Sequence, residues 1–180
     1  MKILLLAASL FYLMSTAGYL VYLVRQNEAV RRVGLGLMVA GFVCQCVYLI
    51  WGWGQAGHFP IRNMHETLLF AAWATAGFFI ILNLRMPLRV LGVFAAPLAA
   101  FIMLVATLIP VETHLPDSQR LFGSFWLVTH VAAIFLGEAA LAMACGVGIL
   151  YLIQERAIKS KRRRFFYRRL PSLEYLDNTG

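Results

Sequence analysis

Four histidines and one glutamate carry the chemistry that packing least explains in this sequence. His58, His65 and His114 lie in two polar stretches, 54–66 and 111–122, whereas His130 stands about two turns into a long apolar run that begins near Gly123. A neutral imidazole can hydrogen-bond, and it can also ligate a metal, haem iron included. Inside an apolar run it is costly without a partner, so His130 reads either as one half of a helix–helix hydrogen bond or as a ligand. The other three read as ordinary solvated residues. Glu138 follows His130 by eight positions, about 80° around a helix and about 12 Å along it, so the two share one broad face. Small residues surround it (Ala132, Ala133, Gly137, Ala139, Ala140, Ala142) and permit a neighbouring helix to approach closely. Glu138 is then buried in protein rather than lipid, as a protonated structural acid, a proton relay or a cofactor contact. Cys44, Cys46 and Cys145 form no C-x-x-C pair and no C-x-x-C-H haem attachment site, and read as small apolar packing residues.

The elements that position these residues follow from composition. Hydrophobic residues make up 61% and charged residues 13%, where soluble domains carry about a quarter charged. The apolar residues gather into runs near the length of about 20 residues that crosses a bilayer. The expected fold is therefore all-α: an integral membrane bundle of about five transmembrane helices at 3–24, 33–53, 67–84, 90–109 and 123–153, followed by a basic tail, 154–180. Pro110 ends the fourth run, and the fifth is long enough to tilt or project. The first run is too long for a secretory h-region and no A-x-A site follows it, so it is read as retained. Period-2 alternation is missing, which excludes a membrane β-barrel.

Orientation follows from the sixteen Lys and Arg. Arg25, Arg31, Arg32, Arg85, Arg89 and eight in 156–169 fall on one side, thirteen in all, against Lys2, Arg62 and Arg120 on the other. Basic residues mark the cytoplasmic side of short loops, so the N-terminus is expected outside and the C-terminus in the cytoplasm. All four histidines then lie toward the outer half. Half of the basic residues sit directly after the fifth run, interleaved with Phe165, Phe166 and Tyr167. That position suits anionic lipid headgroups rather than nucleic acid.

Several segments together resemble the cytochrome c assembly proteins of the CcsA/ResC type. They are Gly57-His58-Phe59-Pro60-Ile61-Arg62-Asn63-Met64-His65-Glu66-Thr67-Leu68-Leu69-Phe70, then Phe125-Trp126-Leu127-Val128-Thr129-His130-Val131, and Gly137-Glu138-Ala139-Ala140-Leu141-Ala142-Met143-Ala144. Gly148-Ile149-Leu150-Tyr151-Leu152-Ile153-Gln154-Glu155 and Arg169-Leu170-Pro171-Ser172-Leu173-Glu174 extend the likeness, which covers most of the chain from Trp51. The resemblance implies a multi-pass protein of the bacterial inner membrane. It would handle or export haem b, held non-covalently, and present it at the outer face for attachment to apocytochrome c beside a ResB/Ccs1-type partner subunit. Lyase-like activity would exist only in the complete synthase. His130-Val131 matches the family's external-ligand pair, which implies that His130 is an axial ligand to haem iron. Trp126, one turn earlier, is placed to pack on the porphyrin, and Arg62 and Arg120 are outward cations able to pair with its propionates. His65 stands where the family has Tyr, so no family role passes to it.

The family's Trp-rich outer segment with its W-x-W-D core, and a second external His, would follow Glu174, and neither occurs by Gly180. The expectation is an N-terminal part of a longer protein with further helices. Two alternatives stand beside it: a HemX-like membrane regulator or scaffold without the haem-presenting motif, and a small-solute transporter using Glu138.

Overall fold

The computed structural model describes residues 2–56, 61, 63–86, 90–110 and 125–159. They form five α-helices, with no strand among the described residues: α1 Lys2–Arg25, α2 Glu28–Ala56, α3 Met64–Arg85, α4 Gly92–Leu108 and α5 Phe125–Lys159. Four of them, all but α4, are long and apolar enough to cross a membrane. The fourth has 17 residues, about 26 Å at 1.5 Å per residue, a little short of the roughly 30 Å core. The protein is an all-α membrane bundle.

Local chemistry sets most helix ends. Gln26 closes α1 in the left-handed region at φ 52°, its N–H donating to the Tyr22 carbonyl at 2.8 Å. Asn27 then opens α2, its Oδ1 accepting from the Ala29 N–H at 2.8 Å. These two residues turn the chain back at once, and α1 and α2 become the most extensively paired helices. The second helix accordingly starts five residues before the expected Val33. Asn63 caps α3, its Oδ1 accepting from the Glu66 N–H at 2.8 Å, an N-cap with an acid three residues on. At the other side Ile109 turns extended ahead of Pro110 and ends α4. With 35 residues, about 52 Å, α5 exceeds the bilayer core and carries 154–159 of the expected tail as helix.

Packing follows small residues and polar clasps, because in lipid no hydrophobic force drives helices together. A Cβ on Gly18 would lie 3.2 Å from Gly34 Cα, so α1 and α2 nearly touch backbones, and Ser15 Oγ donates to the Gly34 carbonyl at 2.8 Å. Ala95, Ala96, Ala99, Ala100 and Ala106 are all buried on α4, which lets this helix sit centrally, against α1, α3 and α5. Gln45, fully buried on α2, joins four helices. Its Oε1 accepts from Tyr12 Oη of α1 at 2.6 Å, and its Nε2 donates to the Leu69 carbonyl of α3 at 2.9 Å and lies 3.5 Å from Met103 Sδ of α4.

Candidate functional site

The inner face of α5 is held by α3 and α4. Val131, Ala132 and Phe135 pack on the core, with the Phe135 ring edge-on to Phe70 at a centroid distance of 5.5 Å. Since a helix turns 100° per residue, holding that stripe commits the opposite stripe outward. His130 is exposed there, and Trp126, one turn toward the helix start, is 80% exposed. His130 therefore presents an accessible imidazole with an amphipathic aromatic ring beside it on one helix face. An imidazole nitrogen is a donor that haem iron takes, and His130 is the one imidazole among the described residues of α5. Among the described residues no three His, Cys, Asp or Glu side chains come together as a metal site.

Glu138 differs from its expected setting. It is exposed on the same outward side of α5, and a Cβ on neighbouring Gly137 would meet nothing within 4 Å. The bundle of α1 to α5 does not bury it. The stripe of small residues splits in two: Ala139 and Gly146 face inward, with Gly146 closely covered by Phe94, while Gly137, Ala144 and Gly148 face outward.

His65 is the residue that sequence reading misjudged. It sits in the first turn of α3 rather than in a solvated loop, 6% exposed, with Nδ1 2.7 Å from the Ala106 carbonyl of α4. A carbonyl can only accept, so Nδ1 carries the proton and donates. Ala106 lies in the last turn of α4, where its carbonyl accepts from the Ile109 N–H at 3.3 Å, and His65 adds a second, shorter bond from the start of α3. The signal for this was Asn63-x-x-Glu66, which sets the helix start at Met64 and draws His65 into the bundle.

His58, Arg62, His114 and Arg120 lie outside the described residues. Of the cysteines, Cys46 has a specific contact: its Sγ accepts from the indole N–H of Trp73 at 3.0 Å, across α2 and α3.

Residues 61–179, more than half of the chain, match the family described as Cytochrome C assembly protein. Among curated relatives, Protein HemX of Brevibacillus brevis is 27% identical over 92% of this chain and 61% of its own length. Cytochrome c biogenesis protein CcsA of Welwitschia mirabilis is 37% identical over 72% of this chain and 42% of its own. The CcsA of Microcystis aeruginosa is 34% identical, over 68% and 39%. The chain thus spans less than two thirds of the length of each. No solved structure matches it significantly.

Proposed function

The chain belongs to the cytochrome c assembly protein family, and on that premise we propose that it handles haem at the outer membrane face for covalent attachment to apocytochrome c. The observation that carries this reading is the exposed imidazole of His130, one turn from exposed Trp126, on the outward face of α5. Haem is the cargo, and iron in it takes an imidazole nitrogen as axial ligand. His130 binds the iron, Trp126 packs against the porphyrin, and Arg62 and Arg120 pair with the propionates. In this reading the protein is an assembly factor of the bacterial inner membrane that works with a ResB/Ccs1-type subunit.

Comparing His130→Ala with His58→Ala in otherwise identical protein tests the assignment. His130→Ala is expected to lose copurifying haem, with recovery on adding imidazole, while His58→Ala keeps it. Full retention in His130→Ala with loss in His58→Ala overturns the assignment and gives the ligand role to His58. In the same assay, unchanged retention in Arg62→Ala and Arg120→Ala removes the propionate pairing.

A second reading is a HemX-like regulator or scaffold. It is favoured by the HemX relative, whose similarity takes in 92% of the chain and so reaches α1 and α2, ahead of the family match at residue 61. Purified protein without a haem Soret band, even after addition of haem, would support this reading over the first.

A further inference from the structure

Glu138 is the side chain that this bundle leaves least provided for. It stands ten residues into the apolar stretch Val128–Ile153 of α5, about 15 Å from its start and so near the middle of a bilayer core of roughly 30 Å. It is exposed there, and it makes no hydrogen bond or ion pair with a described residue. A carboxyl group turned to hydrocarbon is costly, and ionisable side chains within spans face protein or a water-filled cavity instead. Gly137 beside it is open, with nothing within 4 Å of a Cβ placed there, so no described residue covers this face. The cover has to come from outside α1 to α5.

The rest of that face suits a close neighbour better than lipid. α1 and α2 turn mostly large side chains outward, such as Leu6, Leu10, Val43 and Ile50. On α5 the exposed residues include Ala133, Gly137, Ala144 and Gly148, which fall within about 60° of one another around the helix and form two small-x-x-x-small pairs. A Cβ on Gly148 would also meet nothing within 4 Å. Glu138 borders this seam, about 100° around from Gly137, in the flanking position where paired helices exchange ion pairs. Its charge selects the occupant. Among the described helices Lys and Arg stand only near helix ends, outside the middle of any span. A second copy inserted the same way would bring another Glu138 to this level and no cation, so the complement is a different helix with a basic residue in mid-span.

We propose that the outward face of α5 docks a transmembrane helix of a partner protein that carries one Lys or Arg near its middle, the basic side chain pairing with Glu138 and the backbone lying close over Gly137, Ala144 and Gly148. The ion pair sets the depth of the partner, and the small residues set its distance. Small-x-x-x-small pairs favour a right-handed crossing of about −40°. Centred near Ala144, that crossing carries the partner away from His130, about 21 Å nearer the start of α5, and leaves its imidazole open.

The test reconstitutes the full chain, with a fluorophore on a C-terminal tag, in phosphatidylcholine vesicles and measures energy transfer to acceptor-labelled synthetic transmembrane peptides. The peptides are leucine–alanine helices of about 23 residues: one with a lysine at its centre, which serves either orientation, one with leucine there, and one with the lysine moved to within a turn of one end. The central-lysine peptide should associate about tenfold more tightly than the other two. Glu138→Leu should abolish that difference. Gly137→Leu and Gly148→Leu should each weaken association of the central-lysine peptide about fivefold, while Gly36→Leu, at an equally open glycine on the outward face of α2, leaves it unchanged. Circular dichroism checks that the variants keep their helices. Equal association of the three peptides, a lysine preference that persists in Glu138→Leu, or undiminished association in both α5 glycine variants overturns the proposal. So does energy transfer between labelled copies of the protein that Gly137→Leu abolishes, which would give the face to a second copy.

Discussion

Two buried tyrosines on one helix show how much a single hydroxyl depends on its neighbours. Tyr12 Oη donates to Gln45 Oε1 at 2.6 Å, in a clasp that also reaches α3 and α4. Tyr19 Oη, two turns further on, is buried without a partner among the described residues, its ring edge-on to Phe79 and pinned beneath Gly92, where a Cβ would overlap it at 2.2 Å. Removing a partnered hydroxyl strands the other half of the bond, while removing an orphan strands nothing. Tyr12→Phe is therefore expected to destabilise the bundle by about 1–2 kcal/mol, and Tyr19→Phe to be neutral or slightly stabilising. Unfolding in mixed detergent, followed by circular dichroism, measures both, and the reverse ranking would refute the clasp. Sequence reading passed over Gln45 because one amide inside an apolar run shows neither its partners nor its depth. His130 was legible for the opposite reason: an imidazole in a span stands out by cost alone, and its local sequence carries a resemblance.

Helix boundaries belong to the scale of the element, and here capping chemistry outweighed hydropathy. Runs of apolar residues locate the part of a helix that meets lipid, but Asn27 and Asn63 extend α2 and α3 into polar sequence by capping their first turns. The cost falls on Gln26, held at φ 52° where side chains other than glycine lose roughly 1–2 kcal/mol. Gln26→Gly should raise the thermal midpoint of the purified protein, by about 1 kcal/mol in stability at most, because glycine also loses more entropy on folding. Gln26→Val should lower it, since a β-branched residue fits that conformation worst. If Gln26→Val melts above the unmodified protein, the left-handed link between α1 and α2 is wrong. The same reasoning explains His65, which an earlier helix start carries from the expected loop onto the last turn of α4.

At the scale of the whole molecule, charge and helix direction agree. Basic residues occupy the last turns of α1, α3 and α5 (Arg25, Arg85, Arg156 and Lys159), and none occupies the last turn of α2 or α4. Helices that cross alternately would collect those residues on one membrane face, which the positive-inside rule places in the cytoplasm. Reporter fusions check the orientation. A cytoplasmic reporter should be active after Gly180 and a periplasmic one between α2 and α3; the opposite pattern would invert the bundle and put His130 on the cytoplasmic side.

What the sequence determined by itself is the class of solvent and the type of element. Apolar runs of bilayer length must satisfy their own backbone hydrogen bonds, and an α-helix does so within the run, so each run specifies a helix without reference to any other. The segments that resemble the cytochrome c assembly family were likewise readable residue by residue. Contacts between distant runs were not. Which face of α5 turns inward depends on Phe70, Phe94 and the alanines of α4, residues that belong to other helices. That choice leaves His130 and Glu138 outward, buries Gln45 among four helices, and opens a cleft between Leu23 and Ile153. In lipid every face of these helices is apolar enough to point either way, so hydropathy has no preferred side to report. Close steric fit and a few hydrogen bonds make the decision, and these exist only once the helices have met.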